Sequence, residues 1–351
     1  MKSTFGKNIK VEIFGGSHEE FIGVTIHNSP MDASKIDMDK LQSFLSRRAP
    51  GNSPFATSRK EPDIPELIKN NPLTFIIKNT NTRSSDYKGL ANIPRPGHAD
   101  YTARLKYGDK INMAGGGPFS ARMTAPLCIA GGIALQYLES MGIKIGAHIL
   151  AIGNIWDDKF DPLNPAIDHI PSDFPVMNPV RKKEMQDEII KISKENDSLG
   201  GCIEVAVTGL PGGIGGAMYD GLESILAPIY FGIPAVKGVE FGIGFEGAKL
   251  RGSQNNDPFI IKDEKVVTAT NNAGGILGGI STGMPLIARL ALKPTPSISR
   301  EQDSVNLENM TMCKLKIKGR HDPCVAVRAV PIVMAATALG LLDAIIGQKE
   351  Q

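Results

Sequence analysis

The chain has 351 residues, 41% of them hydrophobic, which is enough to bury a large core and, at about 150 residues per domain, would predict two domains. Lys and Arg number 39 against 37 Asp and Glu, and the formal net charge is +2. A charge this small does not indicate binding to DNA, RNA or an anionic membrane. The N-terminus lacks the apolar stretch and cleavage site of a signal peptide. Four widely spaced cysteines without a CxxC pair predict neither a disulfide framework nor a zinc site. The composition therefore favours a cytoplasmic protein that meets any anion with local clusters of arginine.

Two strand-like segments, residues 8–14 and 23–27, open the chain on either side of a tight glycine turn. The turn carries His18, which is either a surface residue or part of a site. An amphipathic helix is predicted over 37–46, and it delivers Arg47 and Arg48 into a long cationic loop. Such a loop either binds an anion or closes over a site, although a solvated basic helix end, favoured by the helix dipole, is the alternative.

Rigid loops with charged groups follow a predicted strand at 73–78. Two prolines stiffen the backbone around Arg95 and His98, as in preorganised sites. Three glycines then precede a core helix predicted over 123–141, with Ser120 and Arg122 beside them. Backbone N–H groups in such a turn approach an anion, and ordinary tight packing at a helix entry is the alternative.

The second half of the chain adds a polar excursion and two further glycine-rich segments. Residues 157–197 read as a peripheral excursion containing an amphipathic helix. The GxGxxG match at 242–247 follows a strand, but the residues after it do not form the helix that a dinucleotide fold requires. A glycine-dense turn at 271–283 leads into a strand that ends at Lys293, where Lys, hydroxyls and prolines make a phosphate clamp. This strand is predicted over 285–293. Two more strands are predicted at 203–207 and 236–241, and a helix is predicted at 221–230.

The C-terminal segment joins a cationic loop, with Arg320 and Arg328, to a helix that is apolar on every side. A helix of this kind is buried, and Pro331 suits its first turn because no N–H is needed there. Asp343 lies on an aliphatic stripe of this helix. Desolvation there would make the carboxylate a better proton acceptor, and the alternative is an Asp that reaches water or an arginine.

Two imidazoles, an arginine cluster, glycine-rich loops and one carboxylate in an apolar helix together predict a small, multiply anionic substrate beside a phosphate-bearing cofactor. The sequence has no Ser/His/Asp elbow, no metal-ligand spacing and no paired carboxylates on one helix.

These residues lie in segments that resemble the chorismate synthase family over nearly the whole length. The matching segments, in the family's order, are FGGSH, RRAPG with SRKEPD, RPGHADYT, GGGPFSARMTA, DSLGG, AVKGVE, LRGSQNND, NNAGGILGGISTG, LKPTPSI and GRHDPCVAVRAVP. Their spread predicts one interlocked domain over 1–351 instead of two. The resemblance implies an α+β fold, a β-α-β sandwich in which two antiparallel sheets enclose a helical layer, assembled as a homotetramer with reduced FMN in each subunit.

The resemblance also implies the reaction, a 1,4-elimination of phosphate from 5-enolpyruvylshikimate 3-phosphate to chorismate without net redox change. By similarity, His18 protonates the departing phosphate, His98 lies near flavin N1, and Asp343 acts with flavin N5 in removing the ring proton. The implied substrate-binding residues are Arg48, Arg95, Arg122 and Arg328. The implied cofactor-binding residues are Ser120, Pro234, Ala235, Gly278, Lys293, Pro294, Thr295, Pro296, Ser297 and Arg320.

Three departures from the family pattern surround these positions. The usual GESHG is GGSHE here, with Gly16 in place of the glutamate and Glu19 in place of the last glycine, and the usual GGGRSS is GGGPFS, with Pro118 and Phe119. Pro54 stands where many members carry a second arginine. In bifunctional members this region, which includes Arg48, is associated with NADPH. The sequence leaves NADPH open as a direct reductant.

Two other functions compete with the elimination. A flavin-dependent oxidoreductase on the same scaffold would consume reductant at every turnover, whereas an elimination would not. A non-catalytic flavin or polyanion binding protein would have no chemical need for His18, His98 and Asp343 together.

Overall fold

The computed structural model describes residues 2–50, 55, 61–80, 92–108, 111–317 and 322–348. The strands are β1 Lys2–Phe5, β2 Lys10–Gly15, β3 Phe21–His27, β4 Glu66–Asn70, β5 Leu73–Lys78, β6 Lys144–Ile152, β7 Ile155–Trp156, β8 Gly201–Thr208, β9 Val236–Phe241, β10 Phe259–Lys262, β11 Lys265–Thr268, β12 Ile276–Leu277, β13 Ile280–Ser281, β14 Leu286–Leu292, β15 Gln302–Asn306 and β16 Thr311–Leu315. The helices are α1 Met38–Arg48, α2 Asp100–Tyr107, α3 Thr124–Ser140, α4 Pro179–Lys194, α5 Leu222–Phe231, α6 Gly252–Asn255 and α7 Ala326–Gln348.

Two five-stranded antiparallel sheets form the outer layers. The first has the order β1-β2-β3-β5-β4, and the second has the order β7-β6-β8-β14-β9. In the first sheet, Ile22, Val24 and Ile26 point to the core while their neighbours are more exposed or small, which is the alternation of a half-buried strand. In contrast, β6 and β14 are buried along nearly their whole length, because each face of the second sheet is covered.

The helices α1, α3, α5 and α7 fill the space between the sheets. Helix α3 packs on β3 and β5 of the first sheet, α7 packs on β6 and β8 of the second, and α3 and α7 pack on each other. Gly131 allows this close approach, since a Cβ there would overlap Ala335 of α7. Val11 and Ile203, from opposite sheets, belong to one continuous hydrophobic core. The predicted sandwich of two antiparallel sheets around a helical layer is confirmed.

Helix α7 is buried nearly all round, as its composition predicted. Among the described residues it is the one helix with the length and hydropathy to span a membrane, yet 94% of its most apolar stretch is buried inside the protein. The helix begins at Ala326, five residues before Pro331. The prediction that Pro331 occupies the first turn is therefore wrong, because the segment around Arg328 is already helical and only the hydrogen bond to the Val327 carbonyl is lost.

Most predicted elements are confirmed to within a few residues, and the central strand β6 was missed. Its apolar run lies directly after α3 and carries no alternation that would mark it as a strand. The segment between Asp157 and Met177 covers the outer face of the second sheet, where Phe160 packs on Ala206 and Ile287. The predicted peripheral excursion thus packs on the sheet through a second, smaller hydrophobic core.

A buried histidine fixes this covering segment to the sheet. His148 of β6 lies within 3.1 Å of Glu204 through Nε2 and within 3.1 Å of Asp157 through Nδ1, and all three side chains are inaccessible to solvent or nearly so. Backbone N–H groups of Phe160 and Met177 donate to the same carboxylates. Burial opposes protonation of His148, but the two carboxylates outweigh it and raise its pKa.

Candidate active site

A cavity of about 820 Å³ opens where the ends of both sheets meet the starts of α3 and α7. A volume of this size falls in the range of small-molecule and cofactor sites, roughly 300–1,000 Å³. Its wall is built from the edge strand β1, the loop after α1, the loop 95–99, the turn before α3, the α5–β9 connection, the end of β14 and the start of α7. Segments far apart in the chain therefore contribute to one site.

Positive charge dominates the wall of the cavity. Seven cationic side chains from the described residues line it, against the two carboxylates of Glu61 and Asp322. The cations are Lys2, Arg48, Arg95, Arg122, Lys237, Lys293 and Arg328. Such a wall attracts a multiply charged anion, and the guanidinium groups among them suit bidentate contacts with carboxylate or phosphate.

The glycine turn before α3 brings the two predicted imidazoles to the cavity. Gly115, Gly116 and Gly117 all have left-handed backbones, with φ of +61°, +89° and +51°. A Cβ on Gly115 would overlap the ring of His18, and a Cβ on Gly116 would lie 3.3 Å from Nε2 of His98. The turn therefore needs glycine both for its conformation and for the space that the two rings occupy. His98 and Gly115 line the cavity, and His18 lies directly behind Gly115.

Each imidazole has a polar neighbour on its own loop. The hydroxyl of Ser17, which is fully buried, lies 3.3 Å from Nδ1 of His18. His98 lies 2.8 Å through Nδ1 from Asp100, which also binds the guanidinium of Arg95 through both oxygens. Arg95 in turn donates to the hydroxyl of Ser297, in the loop after β14. Burial opposes ionisation of Asp100, but these partners hold its pKa well below the usual range.

Two of the predicted substrate arginines are paired through one buried carboxylate. Asp63 accepts hydrogen bonds from Arg48 through one oxygen and from Arg122 through the other, and it is fully buried. Glu61 forms a second ion pair with Arg122 at 2.7 Å. Burial opposes ionisation of Asp63, yet the two guanidinium groups outweigh it and keep the pKa of Asp63 below its usual value.

One of the arginines that line the cavity has a nitrogen left for a further hydrogen bond. Nη2 of Arg122 is buried and finds no acceptor among the described residues. Arg328 donates to the backbone carbonyl of Arg48 at 2.9 Å and to Asp322 at 2.8 Å. A buried donor without a partner is costly, so the Arg122 nitrogen marks a position where a bound anion would satisfy it.

The opposite wall carries a strained backbone and two lysines. Ala235 has φ of +77°, a conformation that costs a non-glycine residue roughly 1–2 kcal/mol, and its carbonyl accepts the backbone N–H of Lys293. Burial, and then the charge of Lys237, lower the pKa of Lys293. Strain and crowded positive charge at a cavity wall are typical of functional sites.

The cavity gathers most of the predicted residues. It is lined by Arg48, Arg95, His98, Ser120, Arg122, Pro234, Ala235, Lys293, Thr295, Pro296, Ser297 and Arg328. Pro118 and Phe119, the departures in the glycine segment, also line it. Glu19 folds back over Gly16, so that a Cβ at Gly16 would lie 2.9 Å from the Glu19 carboxylate. The two departures in the His18 turn thus occupy one region of space.

Besides His18, which lies behind Gly115, three predicted residues do not line the cavity. Asp343 is buried in α7, where Oδ1 accepts the backbone N–H groups of Asn8 and Ile9 at 2.7 and 2.8 Å, and both oxygens lie near that of Lys7. Gly278 forms the turn between β12 and β13, where its φ of +60° explains the glycine. Pro294 lies beside Gly200. Arg320 and Pro54 are outside the described residues. The roles assigned to these residues stay predictions.

Sequence reasoning missed the carboxylates that organise the arginines. Asp63 and Asp100 stand in the segments SRKEPD and RPGHADYT, where a carboxylate close to arginines was the available signal. Sequence reasoning also missed Lys237, which lies in the matching segment AVKGVE and lines the cavity. One lysine on a strand is usually solvated and gives no signal of a site.

Known proteins match this chain over its whole length. A model of the chorismate synthase family matches residues 9–346. A curated protein named chorismate synthase from Lancefieldella parvula is 44% identical, over 98% of this chain and 96% of its own length. Another of that name, from Thermococcus gammatolerans, is 40% identical over 98% of both chains.

A solved structure described as a crystal structure of chorismate synthase has the same fold. The two superimpose with a TM-score of 0.74 at 23% identity, over 98% of this chain and 93% of the other. At this level of identity the likeness concerns the fold.

Proposed function

The chain belongs to the chorismate synthase family, and from this premise we propose that it uses the cavity to eliminate phosphate from 5-enolpyruvylshikimate 3-phosphate, with reduced FMN, to give chorismate. It is a carbon–oxygen lyase acting on phosphates. The observation that carries the proposal is that seven cationic side chains and His98, all from the described residues, line one cavity. The curated relatives bear the name of the lyase, which does not favour the oxidoreductase alternative.

The charges of the wall match those of the proposed substrate, which has two carboxylates and a phosphate. Arg48 and Arg122 are fixed by Asp63, so their side chains are already ordered before an anion arrives. Arg95 is fixed in the same way by Asp100. Preordered guanidinium groups lose little conformational entropy on binding and hold a dianionic or trianionic ligand in one pose.

The residues present also suit a phosphate-bearing flavin. The volume is large for a substrate of this size alone. The Arg122 nitrogen that has no acceptor among the described residues, together with Lys237 and Lys293, offers donors to a second anion. The loop Lys293–Ser297, with Ala235 and Ser120, would hold the cofactor. Reduced FMN, when bound, supplies an electron transiently and receives it back.

The roles of the imidazoles follow from their positions. His18, behind the glycine turn and next to the buried Ser17 hydroxyl, would donate a proton to the departing phosphate. His98, with Nε2 directed at the turn, would balance negative charge on a bound ligand. Asp343 is assigned to removal of the ring proton, and for this its oxygens would exchange the backbone donors of residues 7–9 for the reacting group.

We also propose a cytoplasmic homotetramer. Apolar side chains on the short hairpins are strongly exposed in the single chain, and self-association would cover them. Examples are Phe259 and Ile261 of β10, at 67% and 74% exposure, and Met310 and Met312 around β16.

The test is an anaerobic assay with photoreduced FMN and 5-enolpyruvylshikimate 3-phosphate, following phosphate and chorismate with and without NADPH. The proposal predicts equal amounts of both products, many per flavin, without consumption of reductant. NADPH support from oxidised FMN would identify an intrinsic flavin reductase. Product formation that consumes one reductant per turnover would make the enzyme an oxidoreductase, and binding without turnover would make it a binding protein.

A further inference from the structure

One carboxylate connects the cavity imidazole to the cavity guanidinium. Asp100 Oδ1 lies 2.8 Å from Nδ1 of His98 and accepts from Nη2 of Arg95 at 2.7 Å. Its Oδ2 accepts from Nε and from the backbone N–H of Arg95, at 2.7 and 3.0 Å. Four donors therefore converge on a carboxylate that lines no part of the cavity itself.

The arrangement fixes the tautomer of His98. Nδ1 of His98 lies 3.1 Å from Nη2 of Arg95 as well as 2.8 Å from Asp100. A guanidinium nitrogen only donates and an ionised carboxylate only accepts, so Nδ1 cannot serve both partners with one proton. Asp100 is ionised because its donors stabilise the charged form, and it occupies the first turn of α2, where the helix dipole favours negative charge. Nδ1 must therefore carry the proton.

The consequence lies at the other ring nitrogen. With Nδ1 protonated, Nε2 of a neutral His98 is an acceptor, and this is the nitrogen that faces Gly116 and the cavity turn. We infer that Asp100 is a positioning residue that holds His98 in the Nδ1–H tautomer and keeps Nε2 available to take up a proton at a bound ligand. The inference rests on the proposed function, in which His98 balances ligand charge.

The same carboxylate links the imidazole to the loop that would hold the cofactor. Arg95 uses Nη1 for the hydroxyl of Ser297, and the ammonium of Lys293 donates to the carbonyl of Gly97, next to His98. Among the described residues, the charged and polar groups near His98 include Asp100 and Arg95 on its own loop, Ser120 across the turn, and Lys293, which reaches this loop from the strand end. Asp100 is the single anion among them.

The first test reads the tautomer directly in the flavin-free protein. Imidazole nitrogen NMR of histidine-labelled protein, assigned with His98→Gln, should show Nδ1–H in the wild type. Asp100→Asn places an amide donor beside Nδ1, and we expect the signal to move toward Nε2–H. Glu240→Gln, which removes the charge of a carboxylate paired with the buried Arg289 away from the cavity, should leave the His98 signal unchanged. An Nε2–H wild type, or an unchanged Asp100→Asn spectrum, would overturn the inference.

The second test separates positioning from folding. We expect Asp100→Asn to lower the unfolding midpoint, because Arg95 stays buried without its anion, and to lower the kcat of the folded protein by about 10²-fold or more, the usual size of an acid–base contribution, with a smaller change in KM. A loss of stability with the kcat of the folded protein unchanged would mean a merely structural role. A wild type without chorismate synthesis would refute the proposed function and leave the tautomer result standing.

Discussion

Replacing Asp63 by asparagine removes the charge that joins two buried arginines. Asp63 is fully buried, Arg48 is 1% exposed, and the Arg122 side chain is 4% exposed. The backbone of Asp63 has φ of +52°, which asparagine tolerates about as well as aspartate, so the substitution changes charge without adding backbone strain. Removing one member of a buried ion pair costs about 3–5 kcal/mol, because the remaining charge stays desolvated. Since Arg122 keeps Glu61, we expect the free energy of unfolding to fall by an amount within that range.

Urea unfolding followed by circular dichroism would measure this loss, with equal m-values as the check that the two states are comparable. Asp303→Asn is the matched control, because its ion pair with Lys314 is exposed, at 71% and 62%, and should contribute no more than about 1 kcal/mol. If Asp63→Asn were as mild as the control, the cluster would not be held by charge and the reasoning would fail.

The pH dependence of the same variant provides an independent test of the cause. The pKa of Asp63 is lowered in the folded state, so its stabilisation is fully present above the unfolded pKa and is lost as pH falls through the folded pKa. The difference between wild type and Asp63→Asn should therefore shrink on acidification. Inorganic phosphate should raise the unfolding midpoint of the variant more than that of the wild type, because the released guanidinium groups bind it.

Three further changes probe other parts of the molecule. The raised pKa of His148 predicts a stabilisation that is complete below the unfolded pKa of about 6.5 and is lost as pH rises through the folded pKa, so His148→Gln should flatten the decline in unfolding midpoint on the alkaline side. Gly115→Ala should displace the His18 ring and slow turnover by about 10²-fold, whereas Gly142→Ala, also left-handed but facing open space, should not. Asp343→Asn should slow turnover far more than it weakens substrate binding. It should also lower the free energy of unfolding by about 1–3 kcal/mol, because the amide nitrogen cannot accept the hydrogen bond that a backbone N–H group donates to the carboxylate. Lost stability with normal turnover would contradict the assigned role of Asp343.

The sequence predicted what local physics controls. Three glycines predicted a turn at the entry of the helix α3, and the structure shows that Gly115 to Gly117 form it with positive φ angles. The apolar segment after Arg328 indicated a buried helix, since no face of it could be left to water. The strand β6 was missed because a strand covered on both sides has the same apolar run as a buried helix. The family segments predicted the sandwich fold, and twelve of the predicted site residues line the cavity.

Tertiary structure alone decided which charges meet. Arg48 and Arg122 are separated from Asp63 by 15 and 59 positions, and no periodicity or local propensity encodes such a pairing. The same holds for Asp343, where an aliphatic stripe suggested an open proton acceptor but the N-terminal turn supplies backbone donors from 334–336 positions away. A sequence specifies the type of group and the local shape of the chain. Partners, burial and tautomers arise only when distant segments pack together and exclude water.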